Sequence, residues 1–70
     1  MTHDDVTAIA GNLRAYRRHE LGEWARERGI TAARVTLAEI EHARASGMNH
    51  PELAEAIDLV AHAIAEGTKP

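Results

Sequence analysis

The chain contains no cysteine and no long apolar run, and both absences narrow the choice of protein class. Without cysteine, neither a disulfide framework nor a thiolate zinc site is available to support the fold. No segment approaches the roughly 18 consecutive apolar residues that a membrane-spanning helix requires. The opening residues MTHDDVTAIA hold two acids and no apolar stretch, unlike a secretory signal peptide. We therefore expect a cytoplasmic protein without a membrane partner.

Phenylalanine is also absent, only two prolines occur, and alanine is abundant. This composition is typical of helical proteins, because alanine has the highest helix propensity and proline interrupts helices. No stretch alternates apolar and polar residues as a half-buried strand would. The sequence thus predicts a single all-α domain over residues 1–70, folded as a compact bundle of three to four helices with a helix-turn-helix-like pair.

Apolar spacing, glycines and prolines predict helices at about residues 4–17, 19–28, 32–45 and 51–66. Asp4 or Asp5 is the expected N-cap of the first helix. An apolar stripe that begins at Val6 loses its phase near His19, which favours a break there. One drifting helix over residues 4–28 is the alternative, so the number of helices in this half stays open.

The last two helices have their own start signals. Thr31 is the expected N-cap of the third helix, and Pro51 suits the first turn of the fourth, with Asn49 or His50 as its cap. The apolar positions of the central helix pair are Trp24, Ala25, Ile30, Val35, Leu37, Ile40 and Ala43. The fourth helix carries the clearest apolar stripe, which includes Leu53, Ile57, Val60 and Ile64.

Catalytic and metal-binding motifs are missing from the sequence. Ser46, the only serine, lies in a predicted loop without a paired acid and base, and no glycine-rich phosphate loop occurs. Two sets of side chains at helical spacing could face one ion, namely Glu39 with His42, and Asp58 with His62 and Glu66. The preferred interpretation of both sets is a solvated polar face, because neither matches a known ligand spacing. We expect no enzymatic activity, no metal and no cofactor.

Charge is distributed unevenly along the chain, whose formal net charge is −3. Residues 14–34 carry six arginines against three glutamates, while the flanking segments are acidic. Guanidinium groups bind phosphates through paired hydrogen bonds and keep their charge. The alternative is that the arginines pair with glutamates of their own helices. The arginines with the fewest acids at helical spacing are the preferred phosphate contacts: Arg14, Arg17, Arg18 and Arg34.

Four segments cover nearly the whole chain in a characteristic order: IAGNLRAYRR, LGEWARERGIT, TLAEIEHAR and HPELAEAIDLVAHAI. The first has a glycine-x-leucine-arginine pattern, and in the second an alanine is followed by a glycine and an apolar residue. The third has an isoleucine-glutamate pair before a basic residue, and in the fourth the expected helix begins at a proline. In this order they resemble the lambda-repressor/Cro type (XRE-like) helix-turn-helix family. The resemblance implies DNA recognition by the helix that starts near Thr31.

A second, local resemblance concerns EWARERGI followed by LAEIEHA. A tryptophan-alanine helix, a glycine, a loop and a second helix occur in this order. The arrangement is similar to the DNA-binding domain of actinobacterial H-NS-like nucleoid proteins. The arginine-glycine-arginine hook that enters the minor groove in that family is absent here, and only Arg34 stands near its place.

These observations predict a small DNA-binding transcriptional regulator or DNA-accessory protein of the phage or mobile-element type. Its third helix would enter the major groove of double-stranded DNA by its N-terminus. The predicted DNA contacts are Arg14, Arg17, Arg18, Thr31, Arg34 and Thr36. One such module contacts few base pairs, so we expect a homodimer. The predicted dimer interface consists of Leu53, Ile57, Val60 and Ile64.

The alternative hypothesis is a protein-binding module on a degenerate helix-turn-helix scaffold. It would be an antitoxin, an inhibitor of a host protein or a DNA mimic, and its acidic residues would meet a basic partner. Glu39 and Glu41 decide between the two hypotheses, because both must point away from phosphate if the third helix binds DNA.

Overall fold

The computed structural model describes all 70 residues and contains helices but no strands. The elements are α1 (His3–Arg14), a short 3-10 turn (Arg18–Glu20), α2 (Leu21–Arg28), α3 (Ile30–Ala45) and α4 (Leu53–Gly67). This architecture confirms the predicted all-α bundle. The longest helix, α3, has 16 residues, and none of the helices combines the length and apolar character needed to cross a bilayer.

Two helices, not one, occupy the region before Gly29. After α1 ends, the backbone N–H of Tyr16 donates to the Leu13 carbonyl at 3.1 Å, and Arg17 is extended with φ −69° and ψ 151°. The break near His19 is therefore the arrangement that the structure adopts. It lets both flanking side chains turn inward, because Leu21 is buried and Tyr16 packs half-buried against the core.

Thr2 caps α1, which corrects the expected cap at Asp4 or Asp5. Thr2 Oγ1 accepts the Asp5 backbone N–H at 3.2 Å, and Asp5 Oδ2 accepts the Thr2 backbone N–H at 2.8 Å. This reciprocal pair is a capping box, in which a threonine and an acid three residues later satisfy two free N–H groups. The hydrogen bonds from Thr2 lower the pKa of Asp5.

The starts of α3 and α4 also differ from the predicted ones. Gly29, with φ 98°, ends α2 and directly precedes α3, so Thr31 lies inside the first turn and caps nothing. The connection of one residue is shorter than the three to four residues of a helix-turn-helix turn. Before α4, His50 Nδ1 accepts the Glu52 backbone N–H at 3.0 Å, and Pro51 precedes the helix instead of entering it.

The core is centred on α4, which packs against each of the other three helices. Its buried side chains are Leu53, Ala56, Val60 and Ala63. They meet a set from the other elements: Val6, Ala10, Leu13, Leu21, Trp24, Ala25, Ala33 and Ile40. Val35 does not belong to the core, in contrast to the sequence prediction, because it lies on the outer side of α3 and is 51% exposed.

The closest helix contact joins α2 to the end of α4. A Cβ placed on Gly22 would lie 2.9 Å from the Glu66 carbonyl carbon and 2.9 Å from the Gly67 nitrogen. A Cβ on Gly67 would lie 3.1 Å from Ile30 Cδ1. Only glycine therefore fits at Gly22, and the end of α4 touches the start of α3.

Candidate functional site

The first half of α3 presents two of the predicted DNA contacts to solvent. Thr31 and Arg34 are exposed, and Arg34 makes neither an ion pair nor a hydrogen bond. The first turn of α3 contains no acid, and no side chain caps it. Its leading N–H groups and the positive end of its dipole are therefore free to meet an anion.

Thr36 lies elsewhere, which corrects its predicted grouping with Thr31 and Arg34. Its hydroxyl donates to the Ala32 carbonyl at 3.0 Å and accepts from Arg28 Nη1 at 3.4 Å. At about 100° per residue, Thr36 is turned about 160° away from Arg34 around α3. The Arg28 guanidinium in turn lies 4.8 Å from the centre of the Trp24 ring. Thr36 and Arg28 thus bond to each other and to the protein instead of facing the surface of Arg34.

Arg14 is the clearest correction among the predicted phosphate contacts. Its Nε lies 3.0 and 3.1 Å from the two carboxylate oxygens of Glu55, and its Nη2 also binds Glu52 and Glu55. The Glu55 and Glu52 carboxylates raise the pKa of Arg14, and the hydrogen bond from Arg14 lowers the pKa of Glu55. Arg14 therefore joins α1 to the first turns of α4 and is not free for phosphate.

Arg17 and Arg18 lie in the link between α1 and α2, and both are exposed without an ion pair. The hydrogen bond from Lys69 is the main cause of the lowered pKa of Glu66, and the charge of Arg18 contributes to it. Arg26 Nη1 lies 3.5 Å from the Glu66 carbonyl oxygen. Arg18, Arg26 and Lys69 therefore lie near the negative end of the α4 dipole.

These residues lie at the end of the bundle where α4 ends and α3 begins. We call this end the arginine end. It consists of Arg17, Arg18, Arg26, Arg34, Lys69 and the first turn of α3. The end of α4 joins these parts, because it meets the arginines through Glu66 and contacts Ile30 through Gly67. The exposed acids Glu23 and Glu27 of α2 lie in the same half of the molecule and reduce its positive charge.

The glutamates of α3 point in different directions. Glu41 follows Arg34 by seven residues, so it lies on nearly the same side of α3, about 10 Å further along the axis. Glu39 lies on another side, where it faces α1. The condition set by the DNA hypothesis is therefore met by Glu39 and is not met by Glu41, which shares the side of Arg34.

The predicted dimer interface on α4 is instead occupied by the chain itself. Leu53 is 5% exposed and Val60 is 0% exposed, because α1, α2 and α3 cover this side of α4. Ile57 and Ile64 are half-buried and pack against the same core. The apolar stripe of α4 thus forms the interior of one chain, which explains why it is the strongest in the sequence.

The histidines and acids do not gather into a metal site. His62 Nε2 lies 3.7 Å from Glu66 Oε1, but the same oxygen lies 2.9 Å from Lys69 Nζ. No group of three or more histidine, aspartate or glutamate side chains has an arrangement that would hold a metal ion.

Ser46 does have a basic neighbour, in contrast to the sequence prediction. Its Oγ lies 3.5 Å from His42 Nε2, one helical turn earlier. The backbone N–H groups that follow are already used: those of Ser46, Gly47 and Met48 donate to carbonyls of α3. A serine and histidine pair without free N–H groups beside it lacks the donors that stabilise an acyl-transfer oxyanion.

A groove between α1 and α3 is the main concavity, and no pattern in the sequence predicted it. It consists of two adjoining parts with volumes of about 500 and 350 Å³, which share Met1 and Glu39. The larger part is completed by His3, His42, Ala43, Ser46, Gly47 and Met48. The smaller part is completed by Asp5, Ala8, Ile9, Arg28 and Thr36. We call this surface the α1–α3 groove.

Two surfaces thus have the exposure that binding requires, the arginine end and the α1–α3 groove. Comparison with protein-family models, with curated proteins and with solved structures finds no match to this chain.

Proposed function

We propose that this protein binds double-stranded DNA with its arginine end. The observation that carries the proposal is the placement of exposed arginines without carboxylate partners beside the uncapped start of α3. Phosphate is the anion that suits such a place, because free N–H groups, a helix dipole and guanidinium groups all bind it. The resemblance of the segment order to that of XRE-like proteins favours the same function.

The proposed roles follow from position. Arg17 and Arg18 contact the phosphates of the DNA backbone, which supply affinity without sequence preference. The start of α3 enters the major groove, where Arg34 reaches a base edge or a phosphate and Thr31 contacts the backbone. Arg14 is left out of this set because Glu52 and Glu55 hold it.

The proposal also extends to the biological setting. We propose a regulator or accessory protein of a phage or mobile element, in which the one-residue connection at Gly29 replaces the longer turn of a standard helix-turn-helix pair. We propose that it acts as a homodimer, since one module of this size reads few base pairs. The dimer must use a surface other than Leu53 and Val60, which lie in the core.

A salt series of fluorescence-anisotropy titrations with a duplex of about 20 base pairs tests DNA binding. Arg34→Ala should weaken affinity about tenfold, and Arg17→Ala should reduce the slope of log affinity against log salt by about one. Arg44→Ala is the matched control, since Arg44 is exposed and unpaired at the other end of α3. Absence of binding at low salt, or an equal loss in Arg44→Ala, overturns the proposal.

A second candidate function is the protein-binding module, and the α1–α3 groove is the observation that favours it. The chain as a whole is acidic, with a formal net charge of −3 at pH 7, because its acidic residues outnumber its basic ones. A co-purifying protein partner together with salt-insensitive, weak DNA binding would support this function over the first.

A further inference from the structure

The outer side of α3 carries a regular row of exposed residues, which we call the α3 seam. Its members follow one another at spacings of four, three, four and three residues: Thr31, Val35, Ala38, His42 and Ala45. This is the spacing of the positions that meet when two helices pack along their length. The buried Ile40 of the same helix is turned about 160° away from Ala38, so the seam lies opposite the core.

The side chains of the seam suit a close approach by a second helix. Val35 is 51% exposed and is one of only two exposed large hydrophobic residues of the molecule. Ala38 at the centre and Ala45 near the end have the smallest side chains that carry a Cβ, over which helix axes can approach to about 8 Å. Removal of such apolar surface from water is favourable.

Two opposite charges flank the seam on one side. Arg34 and Glu41 are seven residues apart, so they share a side of α3 but lie about 10 Å apart along its axis. Both are exposed and neither makes an ion pair, although Arg44 follows Glu41 by one turn. At this separation Arg34 and Glu41 cannot pair within one chain.

A second copy of α3 that runs antiparallel to the first satisfies both charges at once. A two-fold axis between Leu37 and Ala38 places Arg34 of each chain level with Glu41 of the other. On the other flank, the same axis places Val35 of each chain about 3 Å along the helix from His42 of the other. A parallel pair would leave Arg34 and Glu41 two turns apart, so the charges select the antiparallel arrangement.

We propose that the protein forms an antiparallel homodimer through the α3 seam. The Ala38 residues of the two chains meet at its centre, and two Arg34–Glu41 ion pairs join the chains. One helix from each chain makes a small interface, so the expected Kd is on the order of 0.1 mM. Self-association of the free protein is independent of DNA binding.

The pair has a consequence for the arginine end. It covers Arg34, so DNA and the second copy compete for the same side of α3. The α3 dimer is therefore the DNA-free form of the protein, and the homodimer proposed on DNA uses a surface other than the seam.

Sedimentation equilibrium and a dilution series of the ¹⁵N-labelled chain, between about 10 µM and 1 mM, test self-association. The average mass should rise with concentration toward that of a dimer. Dilution should shift the amide signals of the seam, above all those of Val35, Ala38 and His42. Ala38→Glu should abolish the rise in mass, because two carboxylates would meet at the centre.

A charge exchange makes the test specific for the antiparallel pair. Arg34→Glu and Glu41→Arg should each raise the Kd at least about tenfold, because like charges then face each other twice. The double variant Arg34→Glu/Glu41→Arg should regain the Kd of the parent chain. Glu39→Arg is the matched control, since it reverses the same charge on the side of α3 that faces α1, and its Kd should stay within about twofold of the parent value. Circular dichroism verifies that the variants stay helical.

The double variant also separates this inference from the proposed function. It should self-associate like the parent chain but bind DNA about tenfold more weakly, because Arg34 no longer reaches the duplex. Self-association together with unchanged DNA binding would remove Arg34 from the DNA contacts and leave the α3 dimer in place. DNA binding by a parent chain that stays monomeric would do the reverse.

Three results would overturn the dimer. One is a mass that stays monomeric up to about 1 mM. Another is a double variant that associates as weakly as its two single variants. The third is an equal loss in Glu39→Arg and Glu41→Arg, because overall charge and not the seam would then govern association.

Discussion

The two long helices, α3 and α4, differ in how many of their charged and apolar side chains are buried or paired. On α4 the apolar stripe is buried and the charged ends are held, by Arg14 at the start and by Lys69 at the end. On α3, by contrast, Arg34 and Glu39 have no partner and Val35 is exposed. Both helices contribute buried side chains to the core, but only α3 leaves both charged and large apolar side chains of its outer surface without contacts. Surface side chains that stabilise nothing are where a small protein can place recognition at little cost in stability.

The largest expected effect lies at the contact of α2 with α4. Gly22→Ala should lower the free energy of unfolding by about 3 kcal/mol, because the added Cβ would lie 2.9 Å from backbone atoms of α4. Gly11→Ala is the matched control, since nothing lies within 4 Å of its Cβ position, and it should stabilise by roughly 0.5–1 kcal/mol. Urea unfolding measures both. Equal effects would show that the contact is looser than described.

The same substitution at one valine on each long helix compares α4 with α3 directly. Val60→Ala should cost roughly 2 kcal/mol, because the fully buried side chain leaves a cavity. Val35→Ala removes the same atoms from an exposed site and should change the free energy of unfolding by less than about 0.5 kcal/mol. Thermal and urea unfolding of both variants gives the difference. A large loss in Val35→Ala would contradict the exposed position of that side chain.

A smaller difference in the free energy of unfolding is expected between substitutions at the starts of α1 and α3. Thr2→Ala should cost about 1 kcal/mol, since it removes the acceptor of the capping box on α1. Thr31→Ala should stay within about 0.5 kcal/mol, because Thr31 lies inside α3 and caps nothing. Unfolding curves for the two variants test whether Gly29, and not Thr31, precedes α3. A similar cost at both positions would restore Thr31 as a cap.

The smallest effect is expected for the surface ion pairs, where solvent screens the charges. Arg14→Ala should lower the melting temperature slightly, and Arg34→Ala should leave it unchanged. The pKa of Glu55 is lowered in the folded state, so its contribution is present above its ordinary value of 4.5 and is lost as pH falls through the lower folded value. The difference between the parent chain and Arg14→Ala should therefore shrink below about pH 4.5. A constant difference down to pH 2 would contradict this linkage.

Local patterns predicted the elements well, because they depend on neighbours in sequence. The stripe through Leu53 and Val60 gave a buried α4, and Gly29 marked the end of α2. The choice of caps was less successful, since several polar residues compete within two or three positions and only the three-dimensional path decides. Thr2 in place of Asp4 is one example.

The candidate sites were harder to predict, because their partners are distant in sequence. Arg14 and Glu55 are 41 positions apart, so helical spacing could not show that Arg14 is already paired. The α1–α3 groove depends on two helices that are held apart by α4, and periodicity within one helix carries no information about such a gap. The lack of an ion pair at Arg34 was predictable, since no acid stands at helical spacing from it on its own helix.

The connection through Gly29 also has a consequence for how such a chain can change over generations. With one residue between them, the rotation of α3 about its axis is tied to α2, so adding or removing a residue would turn the outer surface by about 100°. Substitutions at Thr31, Arg34 or Val35 alter only what that surface offers. Descendants of this sequence are therefore expected to diversify on α3 by exchange of side chains while the spacing from Trp24 to Ile40 keeps its length.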